Sequence, residues 1–470
     1  MLSVALLVLA LCGTALSDPV YRAGAPRWDP YHGQAIFQGK KHARLLKQGA
    51  GLDPEVDMNI SEIIRRWDYP VEEHDVVTED GYILSVNRIP HGLHQKASGP
   101  RPAVLLQHGL LAAGSNWITN PPNSSLGYVL ADAGYDVWIA NSRGNTWSRR
   151  HVELDPEQDA FWKFSYDEMA QKDLPAMVDY ILKITSQEKI FYMGHSQGTT
   201  IAFLAFSSMP ELASKIKLFV GLAPVATVAF AKSPITKLSF LPDFLIWDLF
   251  GRKKFLPQND MIKWFAENIC NKVVLSELCG NLFFLLCGFD ELNLNMTRVP
   301  VYTTHCPAGT SVQNMIHWSQ AVHGGRLMGY DYGYNGNMAH YNQSTPPLYH
   351  VKDMTVPTAL FTGGHDTLAD PKDVALLLTQ VSNLVFHKHI KHWEHLDFIW
   401  GLDAPEQMYP DILKLMQLHD KSAGRVLPMC VLVFCVFVCV LCVCFQTADL
   451  TVFNHHQRSL SCRTSVCSDL

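Results

Sequence analysis

The sequence predicts an α/β fold: a mostly parallel central sheet with helices on both faces, and an inserted, mainly helical cap. Three observations carry this. Short apolar runs of strand type alternate with amphipathic helical stretches up to about residue 225 and again over 356–420, and such alternation means parallel strands joined by crossover helices. Over 226–355 the alternation stops, and long aromatic and apolar runs replace it, densest at Phe240-Leu241-Pro242-Asp243-Phe244-Leu245-Ile246-Trp247 and Leu282-Phe283-Phe284-Leu285-Leu286. Finally, the residues capable of chemistry stand just after the apolar strands, where open α/β sheets hold their sites.

At 470 residues, 48% hydrophobic and 17% charged, the chain can bury a large core, as one domain with insertions or as two. A net charge of −6 offers no basic field to a phosphate backbone, which excludes nucleic-acid binding. Residues 1–17 are almost wholly apolar and end in Ala15-Leu16-Ser17, a small-x-small pattern, so they read as a cleaved secretory leader too short to be a membrane span. A secretory route gives meaning to four N-x-[ST] sequons, at Asn59, Asn123, Asn295 and Asn342. Of twelve cysteines, one is in the leader and seven follow residue 429, so the body is not a disulfide scaffold. Within it Cys270 and Cys279 close a short loop and form the candidate bridge; Cys287 is the next partner to consider, and Cys306 is expected to stay a thiol.

In chain order, residues 18–53 are rich in Gly, Pro, Lys, Arg and His and read as a solvated, propeptide-like segment. Residues 72–78 and 82–89 alternate on either side of Glu79-Asp80-Gly81, the pattern of a β-hairpin. Buried-type strands follow at 103–107, 137–140, 191–193, 218–222 and 358–362, with helical stretches such as 165–184 between them. The core is therefore expected over 54–225 and 356–420, with 226–355 as the cap. An apolar cap suits a lid over a greasy substrate and equally a second hydrophobic core.

The chain is organised around residues 189–203. An apolar strand runs into Gly194-His195-Ser196-Gln197-Gly198, and a helix follows. A serine in so tight a turn has a strained backbone, and glycines on either side leave room for strand and helix to approach. Ser196 Oγ is then pushed out above the sheet as a nucleophile, while the Gln197 N–H, at the positive end of the helix, faces any oxyanion that forms. A second donor is expected from the Leu110 N–H in His108-Gly109-Leu110, at the end of an early strand.

A serine nucleophile needs a base, and the base a carboxylate to orient it. Thr362-Gly363-Gly364-His365-Asp366 places Asp366 in a glycine turn straight after an apolar strand; Asp370 is the fallback, better suited to capping the helix that starts at Pro371. For the base, His395 lies in the loop before the last helix. Its neighbours His387, His389 and His392 raise the question of a metal, but no cysteine or repeated carboxylate pattern completes a ligand set, so neither metal nor cofactor is expected. His195 is expected to line the turn rather than to act as base.

These residues resemble the acid lipases of the gastric and lysosomal type. The resemblance rests on Asn59-Ile60-Ser61-Glu62-Ile63-Ile64, Val77-Thr78-Glu79-Asp80-Gly81-Tyr82-Ile83-Leu84, Gln107-His108-Gly109-Leu110-Leu111, Asn141-Ser142-Arg143-Gly144-Asn145, the serine motif, Ala308-Gly309-Thr310-Ser311-Val312-Gln313-Asn314 and His395-Leu396-Asp397-Phe398-Ile399-Trp400, spread over about 54–420. It implies an α/β-hydrolase fold and acidic hydrolysis of triacylglycerols or sterol esters at a lipid–water interface, without metal or colipase. It also implies Ser196, Asp366 and His395 as a triad, Leu110 and Gln197 as oxyanion donors, a lid within the cap, and a Cys270–Cys279 bridge with Cys287 unpaired. A monomer is expected. The chain departs from that pattern in its longer basic segment, in Cys306, and above all in residues 426–445, twenty uncharged apolar residues long enough to cross a bilayer and followed by a polar tail, 446–470. Such a run reads either as a single membrane anchor or as an alternative C-terminus of little functional weight. A catalytically silent lipid-binding protein is the alternative from another class, and a peptidase or thioesterase the alternative enzyme.

Overall fold

The structure, a computed structural model, describes residues 53–94, 99–257 and 291–423. The leader, nearly all of 18–53, the cysteines Cys270, Cys279 and Cys287, and the run 426–445 with its tail lie outside those residues. Among the described residues no helix is long and apolar enough to cross a membrane.

Two strands, β1 (Glu72–Val77) and β2 (Tyr82–Ile89), form the expected hairpin, with Val77 opposite Ile83. They are followed by β3 (Ala103–Gln107), β4 (Asp136–Ile139), the two-residue β5 (Arg150–His151), β6 (Ile190–His195) and β7 (Ile216–Leu222). Two short strands, β8 (Lys254–Phe255) and β9 (Thr310–Ser311), pair only with each other, and β10 (Thr358–Gly363) and β11 (Leu384–Ile390) return to the main sheet. The order across that sheet is β1-β2-β4-β3-β6-β7-β10-β11, with β5 added beside β2. Pairing is antiparallel as far as β4 and parallel from β4 to β11.

Alternate residues of the central strands enter two different apolar layers. Val104 and Leu106 of β3, with Phe191 and Met193 of β6, pack into one; Ala103 and Leu105, with Ile190 and Tyr192, pack into the other. A strand covered on both faces needs apolar side chains at every position, so these segments read as unbroken apolar runs. Among the described residues the α-helices of seven or more residues are α1 (Ile60–Arg66), α2 (Leu126–Asp132), α3 (Leu174–Thr185), α4 (Gln197–Ser208), α5 (Asp243–Phe250), α6 (Val299–His305), α7 (Val312–Gly324), α8 (Gly333–Tyr341), α9 (Pro371–Leu378) and α10 (Tyr409–Ala423).

Residues 165–184 are helical as expected, with one feature that the sequence reading did not foresee: a short α-helical turn at Tyr166–Glu168 passes through a widened π turn at Met169–Asp173 before α3 begins. Pro175, in the first turn of α3, has no N–H to continue the preceding ladder, and the backbone widens there.

Between β7 and β10 the described chain is mostly helical, as expected, although the β8–β9 ladder was not foreseen. Leu238, Ile246, Phe255, Val312, Met315, Ile316 and Tyr330 gather there into a third apolar cluster, against which Leu110 and Leu111 pack. The entry to this segment is tied to the loop after β10: the N–H groups of Lys232 and Ser233 donate to the Thr367 carbonyl, and Asp373 of α9 accepts from Thr227 Oγ1 and the Phe230 N–H.

Candidate active site

At the end of β6 the chain turns so sharply that Ser196 takes φ 54°, ψ −120° and becomes the N-cap of α4. An L-residue adopts this conformation only under strain, and the surroundings enforce it. A Cβ on Gly194 would stand 2.6 Å from the Gly198 backbone, and one on Gly198 would stand 2.5 Å from the Gln107 carbonyl oxygen. No residue larger than glycine fits at either position without moving a central strand. The Ser196 N–H donates to the Leu222 carbonyl at 3.1 Å, which ties the turn to β7.

Ser196, His395 and Asp366, drawn from three separate stretches, form one hydrogen-bonded chain. Ser196 Oγ is 2.8 Å from His395 Nε2, and His395 Nδ1 is 2.8 and 3.0 Å from the two carboxylate oxygens of Asp366. Asp366 Oδ1 also accepts the N–H groups of Leu368 and Ala369 at 2.9 and 2.8 Å, so its carboxylate is aimed by its own loop. Both His395 and Asp366 are buried. Asp370, the fallback acid, instead caps α9 through the Lys372 N–H and pairs with Lys232. His387 and His389 do share a face of β11, and both contact Thr362 Oγ1, at 2.9 and 3.1 Å. Among the described residues no group of three His, Cys, Asp or Glu is arranged to hold a metal.

The Gln197 N–H opens α4, where helix amides have no intrahelical acceptor. Leu110 sits in the loop after β3, which passes so close to Ser196 that a Cβ on Gly109 would stand 2.9 Å from Ser196 Cβ. His108 anchors that loop. Its Nδ1–H donates to the Gly109 carbonyl at 2.8 Å, and its Nε2 accepts the Ser142 N–H at 3.0 Å. Burial pushes the His108 imidazole down to about 4, so it stays neutral in this tautomer. From the other side the Leu111 carbonyl accepts the Ala308 N–H.

An apolar cavity opens at Ser196 and His395. Its walls include Leu110, Leu111, Val225, Val228, Ile235, Leu238, Met315, Trp318, Val322 and Leu368, taken from both the sheet side and the 226–355 segment. Cys306, buried, also lines it and approaches the Leu111 carbonyl oxygen at 3.5 Å. The four sequon asparagines lie away from it. Asn123 and Asn342 are exposed, while Asn59 and Asn295, partly exposed, cap α1 and the turn at Met296–Arg298.

Sequence reasoning missed two groups of residues. His195 lines the turn, as expected, but its contact was not foreseen: its Nε2 lies 3.0 Å from the His395 carbonyl oxygen and, as donor, fixes the backbone that carries the imidazole. Burial, and then the neighbouring His395, pushes its ring down to about 3, consistent with a neutral donor. The second group is the side chain of Gln197, whose Oε1 accepts from Asn314 Nδ2 at 2.9 Å and from Trp318 Nε1 at 2.7 Å. His195 adjoins the serine, and Asn314 belongs to a segment carrying the resemblance, but no local pattern shows what either one touches.

Comparison with known proteins places this architecture. The profile described as "alpha/beta hydrolase fold" matches residues 102–402, and the one described as "Partial alpha/beta-hydrolase lipase region" matches 60–121. The chain is 63% identical over 383 residues to the human lysosomal acid lipase/cholesteryl ester hydrolase, covering 80% of this chain and 96% of that protein. It is 58% identical to human lipase member M (80% and 89% covered) and 54% identical to the gastric triacylglycerol lipase of Rattus norvegicus (80% and 96% covered). With this fold and these relatives, the chain belongs to the α/β-hydrolase lipases, in the family of the lysosomal acid and gastric lipases.

Proposed function

We propose that this chain hydrolyses neutral-lipid esters, triacylglycerols or sterol esters, through an acyl-enzyme on Ser196. The observation that carries the reading is the Ser196–His395–Asp366 chain opening into an apolar cavity. The relatives named cholesteryl ester hydrolase and triacylglycerol lipase support the same substrate class.

His395 Nε2 takes the Ser196 proton as Oγ attacks the ester carbonyl, and Asp366 stabilises the resulting imidazolium at Nδ1. The backbone N–H groups of Leu110 and Gln197 receive the oxyanion. His395 then returns the proton to the departing alcohol, and water releases the fatty acid by the same steps. The apolar walls hold the acyl chain or sterol and keep bulk water from the developing charge. Residues 226–355 serve as the cap and carry the lid, 54–225 and 356–420 form the catalytic core, and no metal or cofactor takes part. The protein follows the secretory pathway to an extracellular or lysosomal site, with glycans at Asn59, Asn123, Asn295 and Asn342, and acts as a monomer at a lipid–water surface.

The test is hydrolysis of emulsified triacylglycerol and cholesteryl ester by the full chain across pH 4 to 8, beside its Ser196→Ala variant. Activity that falls by roughly 10,000-fold or more in the variant is expected. Absence of activity in both folded proteins would leave a lipid-binding protein on the same fold and refute the proposal.

A further inference from the structure

The side chain of Gln197 is buried, though the mechanism above asks only for its backbone N–H. Its Oε1 accepts from two donors of α7: Trp318 Nε1 at 2.7 Å and Asn314 Nδ2 at 2.9 Å. These residues are four apart, one helical turn, so α7 presents both N–H groups from one face. Asn314 is itself held, its Nδ2 within 3.1 Å of Thr310 Oγ1 and its backbone N–H donating to Ser311 Oγ, the N-cap of α7, at 2.9 Å. Trp318 Nε1 can only donate, which turns the Gln197 amide so that Oε1 faces it, and Asn314 then meets the same oxygen with its Nδ2; the Gln197 Nε2 is left with the weak acceptor Met169 Sδ at 3.4 Å. A side chain pinned at its tip fixes its Cα, and the Gln197 N–H is one bond from that Cα.

We infer that Asn314 and Trp318 are positioning residues for the oxyanion: α7, within the 226–355 segment, sets the direction of the Gln197 N–H by gripping the Gln197 side chain. The inference rests on the ester-hydrolase reading above. It explains why the residue after the nucleophile carries an amide and not an apolar side chain in a site otherwise walled by apolar groups: only an acceptor satisfies the two donors that α7 aims at it. Oxyanion stabilisation depends on donor placement within a few tenths of an ångström, so loosening the grip acts on the transition state more than on the bound ester.

The experiment uses the full chain with Trp318→Phe, which removes the indole N–H and keeps an aromatic wall, and Asn314→Ala, which removes the other donor outside the cavity lining. Each is assayed on a soluble short-chain p-nitrophenyl ester and with a p-nitrophenyl alkylphosphonate, whose phosphoryl oxygen gains negative charge in the same site as serine attacks phosphorus and p-nitrophenolate leaves. Expected for both variants is a kcat lower by about tenfold or more, a KM within about threefold, and a phosphonate inactivation rate reduced in proportion to kcat/KM. Wild-type kcat in both variants, a rise in KM alone, or a lowered unfolding midpoint with kcat per folded molecule unchanged would each overturn it, the last two assigning the pair to the cavity wall or to stability. If the wild-type chain turns over no ester while remaining folded, the ester-hydrolase reading fails and the inference with it.

Discussion

Replacing Asp167 by Asn should change how stability depends on pH and little else. Asp167 is buried in the turn Tyr166–Glu168, where its Oδ2 accepts the Tyr330 N–H at 2.6 Å and lies 3.3 Å from Tyr341 Oη. Burial first, and then the neighbouring Glu168, pushes its carboxyl from 3.8 up to about 8. The folded protein therefore keeps Asp167 protonated where the unfolded chain ionises it. That contribution to stability is complete below pH 3.8 and is lost as pH rises toward 8. From pH 3.8 to pH 7 spans about 3 units, so at about 1.4 kcal/mol per unit the wild type loses about 4 kcal/mol that Asp167→Asn, neutral throughout, keeps. His108, His195 and His317, held near 4, 3 and 3 by burial, act with the opposite sign, adding stability above pH 6.5 that is lost toward acid. They are common to both proteins and cancel in the comparison. Urea unfolding of the two proteins at pH 4, 5.5 and 7 measures the difference; parallel profiles would mean that Asp167 is ionised in the fold and would refute the reasoning.

Gly198→Ala, with its new Cβ 2.5 Å from the Gln107 carbonyl oxygen, should push β3 and α4 apart and cost both stability and kcat, read as a lowered thermal midpoint and slower ester turnover. Arg143, buried, donates to Asp173 at 2.7 Å and to both oxygens of Asp80 at 2.7 and 3.0 Å, and lies 4.0 Å from the Tyr82 ring centroid. Arg143→Met strands the buried Asp173, already pushed up to about 6, and should cost ~3–5 kcal/mol in urea unfolding at pH 7 and less at pH 5, where Asp173 can protonate. His108→Leu leaves the Ser142 N–H without its acceptor and frees the loop that carries Leu110; kcat should fall while KM holds, measured on a soluble ester.

Local pattern sufficed where local chemistry decides the structure. β3 and β10 are unbroken apolar runs because both faces of the sheet are covered, and the glycines around Ser196 are required because a Cβ at either would stand only 2.5 or 2.6 Å from neighbouring backbone. That Ser196, His395 and Asp366 come together was legible because each stands at the end of a strand or in the loop before a helix. What stayed hidden depends on contacts far apart in sequence. His195 grips the His395 carbonyl 200 residues away, and Gln197 meets Trp318 across 121 residues. Even the widened turn at Met169–Asp173 was masked, because apolar spacing continues through it while Pro175 interrupts the hydrogen bonding.

The central claim, that Ser196 is the acylated nucleophile served by His395, is tested most directly by labelling. The full chain is incubated with a long-chain p-nitrophenyl alkylphosphonate, digested, and mapped by mass spectrometry. One adduct per chain, on Ser196, appearing in step with loss of ester hydrolysis and abolished by His395→Ala, is the predicted result. Loss of activity without an adduct on Ser196, or full activity in a chain whose Ser196 is modified, would contradict the account.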